Sequence, residues 1–96
     1  MVKLIWSEKA IISLELIAEY ISKDSLFYAK ETIRKIRSLT RKLKDFPYLG
    51  SIVPEYDRPD IKQLIYKSYR IIYKIDDGVI TILTVISGYK QLWFLR

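Results

Sequence analysis

Cysteine and histidine are both missing from the 96 residues of this chain. Without cysteine there are no disulfides and no thiolate chemistry, and without either residue there is no metal site built on sulfur or imidazole. Histidine is also the one side chain whose unperturbed pKa lies near neutrality. Any catalysis would therefore rest on Tyr, Lys, Arg, Asp or Glu, and no cofactor or metal is expected. Apolar runs are short, and none approaches the roughly 20 residues that cross a bilayer. The start, Met1-Val2-Lys3-Leu4-Ile5-Trp6-Ser7-Glu8-Lys9, offers no long apolar stretch with a small-residue cleavage site. A cytoplasmic protein with no membrane partner is the expectation.

What is present suits one small domain over residues 1–96, with half of its residues hydrophobic and too few of them for two cores. The 17 basic and 11 acidic side chains give a formal net charge of +6. That excess favours a polyanionic partner, either nucleic acid or a protein with an acidic surface. The plainer alternative is a solvated basic surface that binds neither.

Along the chain, Val2–Trp6 is β-prone and short enough for one strand. Ser7 is placed to cap a helix, with Glu8 in the first turn where the helix dipole favours an anion. Ala10, Leu14, Ile17, Ala18 and Ile21 follow at helical spacing, which predicts a helix over 8–22. Ile11, Ile12 and Leu16 widen its apolar face, so this helix should be covered on two sides. After Ser22-Lys23-Asp24-Ser25, the residues Ala29, Ile33, Ile36, Thr40 and Leu43 stay within about 40° of one direction on a second helix. Pro47 and Gly50 should stop that helix after Phe46. The short polar link makes the two helices an antiparallel hairpin.

Residues 47–60 hold all three prolines and read as an extended crossing loop within the domain. Ile61–Tyr66 and Tyr69–Ile75 are strand-like, and Asp77-Gly78 is a two-residue hairpin signal. Val79–Ile86 is rich in β-branched residues and apolar on both faces, which reads as the central strand. Residues 89–95 would add a last short strand or an extended tail. The expected fold is α+β: an N-terminal strand and an antiparallel helical hairpin packed on a curved antiparallel β-sheet. The sheet's other face would be concave and open.

Two clusters have the composition of binding sites. Lys30, Arg34, Arg37, Arg41 and Lys44 share one face of the second helix, about 100° from its apolar face. They would suit a polyanion or simply water. Lys62, Lys67, Tyr69, Arg70, Tyr73, Lys74, Tyr89 and Lys90 lie in or beside the strands, a mixture able to stack bases and pair phosphates. Tyr69 and Arg70 must point to opposite faces. Arg70, between core-like neighbours, either lines the exposed face or pairs with a carboxylate such as Glu55 or Asp57. Trp93 and Phe94 stand among the last residues, and such an apolar pair docks on the domain's own sheet or on a partner chain.

The order of motifs resembles the RelE/ParE toxin superfamily across nearly the whole chain. Trp6-Ser7 leads into a helix with Ala10, Leu14, Ile17, Tyr20 and Ile21; Asp24-Ser25 precedes Ala29 and Ile33. Leu43, Phe46-Pro47, Gly50 and Val53-Pro54-Glu55 follow, then Tyr69-Arg70-Ile71-Ile72-Tyr73 and Ile82-Leu83-Thr84-Val85-Ile86. The resemblance implies the toxin of a type II toxin–antitoxin system, closer to the ParE-like members, held in a hetero-oligomer by a cognate antitoxin. Ribosome-dependent members cut mRNA with basic residues and an aromatic or histidine on the concave sheet; gyrase-directed members share the fold without that set.

Arg70 matches the family's arginine in the Tyr-Arg-Ile motif. Many members continue with His-Gly and a basic residue after the last long strand; here the stretch is Ser87-Gly88-Tyr89-Lys90. As a nuclease, the protein would use Arg70 and Lys90 as cations and Tyr89 as acid, with a lysine, Lys67 or Lys90, as base. As a gyrase-directed binder, it would use Lys30, Arg34, Arg37, Arg41, Lys44, Trp93 and Phe94 against its target or antitoxin. The replacement of histidine by Ser87 favours the binder, with DNA gyrase as target. The alternatives are a ribosome-dependent mRNA endoribonuclease and an antitoxin-binding remnant without toxicity.

Overall fold

The computed structural model describes residues 2–87. Strand β1 (Lys3–Trp6) leads into helix α1 (Glu8–Ser22) and helix α2 (Leu26–Arg41), which ends in a 3₁₀ turn at Lys42–Lys44. Strands β2 (Ser51–Ile52), β3 (Ile61–Tyr66), β4 (Tyr69–Asp76) and β5 (Val79–Ser87) follow. They form one five-stranded sheet in the order β1-β5-β4-β3-β2, with the helical hairpin on one face. The α+β architecture matches the expectation, but the crossing loop carries the short strand β2, the sheet face expected to be open is partly covered, and three further points differ.

The sheet is mixed, because β1 pairs with β5 in parallel, Lys3 beside Val79 through Trp6 beside Ile82. The centre of the sheet is β4; β5 lies between β4 and β1. The helical pattern predicted to Phe46 tightens into the 3₁₀ turn after Arg41, as helices commonly do ahead of a proline.

Both helices start where a serine stands ready. The Ser7 hydroxyl accepts from the Ala10 N–H at 3.0 Å and the Ser25 hydroxyl from the Tyr28 N–H at 3.2 Å, each satisfying a donor the helix leaves open. The predicted stripes then meet the sheet. Ala10 and Leu14 of α1, and Ala29, Ile36, Thr40 and Leu43 of α2 and its last turn, are buried, while Ile33 is half-buried. Beneath them lie Leu64, Ile71, Tyr73, Ile80, Ile82 and Val85. Burying each such aliphatic side chain contributes roughly 1.5–3 kcal/mol.

A bulge in β5 explains why that strand is apolar on both sides. Ile72 pairs with Thr84 but Tyr73 with Ile82, leaving Leu83 as the extra residue. Side-chain parity changes there: Ile80 and Ile82 before the bulge, and Val85 after it, all face the helices. Two serines, Ser7 capping α1 and Ser13 within it, hold the distorted backbone. Ser7 donates through its hydroxyl to the Leu83 carbonyl at 3.1 Å, and Ser13 accepts from the Val85 N–H at 3.0 Å. The strand therefore stays hydrogen-bonded where β1 ends.

The second face of the sheet is partly covered. Val53, from the loop after β2, packs with Ile61 and Ile72, and Tyr56, Leu83 and Ile86 close around them. The β4–β5 turn has Asp77 and Gly78 at positive φ, 47° and 79°, as a tight hairpin requires. Gly50 is fixed by crowding instead. A Cβ there would lie 2.5 Å from the Gln63 carbonyl oxygen and 2.8 Å from the Tyr73 hydroxyl.

Candidate functional site

Arg70 projects from β4 onto the loop-covered face, opposite Tyr69, whose ring packs on the helix side. Its guanidinium is clamped. Nη1 and Nη2 each donate to Glu55 at 2.8 Å and Nε donates to Gln63 at 2.8 Å. The Arg70 and Glu55 side chains are each only 12% exposed. The hydrogen bonds to Glu55 hold the guanidinium further into its charged form, against the opposing effect of burial. Of the two placements open to Arg70 in the sequence, pairing with Glu55 is the one observed. Asp57 is exposed, at a positive φ of 50°. Gln63, across the strand pair from Ile72, completes the clamp. No sequence spacing pointed to it, because the contact depends on β3–β4 register.

Close by, the Tyr73 hydroxyl donates to the Pro47 carbonyl at 3.0 Å and accepts from the Gly50 N–H at 2.9 Å. Burial raises its pKa, so it stays a neutral phenol that ties the crossing loop to β4. This is a structural role: with its side chain fully buried, Tyr73 is not available to the basic–aromatic cluster in which the sequence placed it.

The basic face of α2 is solvent-exposed throughout: Lys30, Arg34, Arg37, Arg41 and Lys44. Four of these five, Lys44 being the exception, line a groove of about 580 Å³ between the helices. Ala18, Glu19 and Ser22 of α1 form its other wall, and Leu26, Ala29 and Ile33 contribute apolar surface. Arg34 pairs with Glu31 one turn back at 2.9 Å, which raises the arginine pKa and lowers that of the carboxyl. The pair is exposed and adds little stability. The Arg37 guanidinium lies 5.9 Å from the Trp6 ring centre, within cation–π range. The stripe is thus the cationic wall of an apolar cleft, which the helical spacing alone did not reveal.

Around the hairpin tip, Tyr20, Leu26, Phe27 and Tyr28 are each more than 60% exposed. They lie outside the buried stripes, and their only sequence signal is apolar bulk in the wrong phase. A second groove, of about 410 Å³, runs between α1 and the ends of β4 and β5. Tyr89, Lys90, Trp93 and Phe94 lie outside the described residues. Among the described residues, no group of three or more acidic side chains could hold a metal, and no helix is long and apolar enough to cross a membrane.

Residues 4–92 match the family model for the ParE toxin of the type II toxin–antitoxin system, parDE. Among solved structures, the fold is similar to a chain of the chromosomal ParDE TA system from P. aeruginosa. That match has a TM-score of 0.77 at 20% identity, covering 93% of this chain and 98% of that one. It is also similar to a chain of the YoeB-YefM complex from Staphylococcus aureus, with a TM-score of 0.59 at 17% identity, covering 93% and 99%. No curated protein matches in sequence.

Proposed function

The chain belongs to the ParE toxin family of type II toxin–antitoxin systems, and from that premise we propose that it inhibits growth by binding DNA gyrase and is neutralised by a cognate antitoxin. The observation that carries a binding role over a catalytic one is the Arg70 clamp. Stabilising a phosphorane requires a cation aimed at the developing charge. Here all three guanidinium nitrogens already donate to Glu55 or Gln63, and the Glu55 carboxylate beside them repels a phosphate. Arg70 acts as a rivet between the loop and the sheet.

Binding surface, by contrast, is plentiful. The cleft of the hairpin joins apolar side chains to Lys30, Arg34, Arg37 and Arg41. Its chemical complement is an amphipathic segment with carboxylates along one edge, and the antitoxin is the partner to which this reading assigns such a segment. The relatives in fold were seen in a ParDE TA system and a YoeB-YefM complex, in keeping with a toxin held in a hetero-oligomer.

Purified protein added to gyrase and supercoiled DNA tests the reading. Loss of supercoiling or accumulation of cleaved complexes, reversed by antitoxin, is expected. Unaffected gyrase together with mRNA cut in a translating extract, and spared by Arg70→Ala, would instead assign the ribonuclease. Expression without growth arrest would leave only the antitoxin-binding remnant.

A further inference from the structure

The structure splits the basic and aromatic cluster of the strands. Arg70 is clamped and Tyr73 is buried, but Lys62 and Lys67 each meet a tyrosine ring at the surface. The Lys62 Nζ stands 5.8 Å from the centre of the Tyr48 ring, and the Lys67 Nζ 5.6 Å from that of Tyr66, both within cation–π range. Lys62 lies opposite Tyr73 in the β3–β4 register, so it projects on the helix side of the sheet, where Tyr66 also packs. Four residues of strand separate Lys62 from Tyr66, about 13 Å. Tyr48 is 69% exposed, as is Phe46 to 63% in the same turn; Tyr66 is half-buried. The surroundings are cationic. Residues 42–52 and 61–68 together hold four lysines and a single acid, Asp45. Among the described residues no ion pair neutralises any of the four lysines, and none of them lines the cleft between the helices.

We propose that this β2–β3 edge binds a single-stranded nucleic acid, with bases stacked on Tyr48 and Tyr66 and phosphates on Lys62, Lys67 and Lys44. Exposed rings beside cations, repeated along one strand, take bases and phosphates together. The spacing of about 13 Å leaves room for three or four nucleotides at a rise of about 3.4 Å. A duplex hides the faces of its bases, so the fitting partner is unpaired. An acidic peptide would meet the lysines, but the negative faces of two tyrosines repel carboxylates while bases stack on them. The site is one of binding without cleavage, lies apart from the Arg70 clamp, and is independent of the toxin's target.

Fluorescence anisotropy of the full chain with labelled oligothymidylate, oligouridylate and a duplex, each of about 12 nucleotides per strand, provides the test. At least one single strand should bind about tenfold more tightly than the duplex, and the better-bound strand names the source, DNA or RNA. Tyr48→Ala should weaken that binding at least about fivefold with an unchanged salt dependence, because stacking releases no counterions. Tyr48→Trp, which keeps a ring, should retain it. Lys62→Ala should flatten the slope of log affinity against log salt by about 0.7. Far-ultraviolet circular dichroism of each variant should match the wild type. The proposal is overturned if neither single strand binds at low salt, if the duplex binds as tightly, or if Tyr48→Ala and Lys62→Ala bind like the wild type. It is also overturned if Arg37→Gln with Arg41→Gln abolishes binding and the edge variants do not, which would place the strand on α2. Displacement of the strand by an equal concentration of polyglutamate would overturn it too, by making the edge a surface for acidic protein.

Discussion

Arg70 and Glu55 meet from different elements, and their pairing decides how the sheet face behaves. With both side chains 12% exposed, removing one leaves the other charge poorly solvated. Arg70→Ala should therefore cost about 2–4 kcal/mol, less than a fully buried pair because some water remains; chemical denaturation measures it. Arg70→Met with Glu55→Leu should recover most of the loss. A null effect of Arg70→Ala on stability would show that the arginine is not the rivet described. At Gly50, a methyl group would collide with the Gln63 backbone carbonyl, so Gly50→Ala should destabilise by roughly 1–3 kcal/mol. Tyr73 adds a pH signature. Burial raises its pKa, so its contribution is complete below the unfolded value of about 10 and falls as pH rises through the folded value. The thermal midpoint should drop above about pH 10, and Tyr73→Phe should flatten that drop while losing two hydrogen bonds.

The bulge in β5 makes the helix–sheet contact possible, and α1 maintains it through Ser7 and Ser13. Ser13→Ala leaves the Val85 N–H without its acceptor, at a cost of about 1–3 kcal/mol. Faster amide exchange at Val85, with exchange in α2 unchanged, is the expected reading. Elements of this kind mark where sequence reading stops. The stripes Ala10–Leu14 and Ala29–Ile36–Leu43, the two serine caps and the Asp77-Gly78 turn were all legible, because each is decided by residues within a few positions of one another. The parallel pairing of β1 with β5 was not, since either direction satisfies a short apolar strand. Nor was the parity change at Leu83, which breaks the period-2 pattern from which faces are read. Arg70 could be narrowed to two placements by the expense of burying its charge; choosing between them required the loop that carries Glu55. The basic stripe on α2 was legible as charge, but its position on the rim of a cleft depends on how α1 packs beside it.

Across the whole molecule, a net charge of +6 is concentrated in part along α2, beside apolar surface that no described residue covers. Binding there should be salt-sensitive, because exposed charges are screened over about 8–10 Å at ordinary ionic strength. Reversing two cations on the cleft, Arg37→Glu with Arg41→Glu, should weaken antitoxin binding at least about tenfold, chiefly at low salt. Calorimetric titration with the antitoxin checks this, and undiminished affinity would remove the cleft from the interface. The same variant should leave the fold intact, since neither side chain belongs to the buried core. Titrating purified protein into a gyrase supercoiling and DNA-cleavage assay distinguishes a ParE toxin that acts by binding, as proposed, from one that cuts RNA. Supercoiling should be lost or cleavage complexes trapped, an effect retained by Arg70→Lys, which keeps the cation beside Glu55, and abolished by the antitoxin. Gyrase that works unchanged at saturating protein would rule out the proposed binding role.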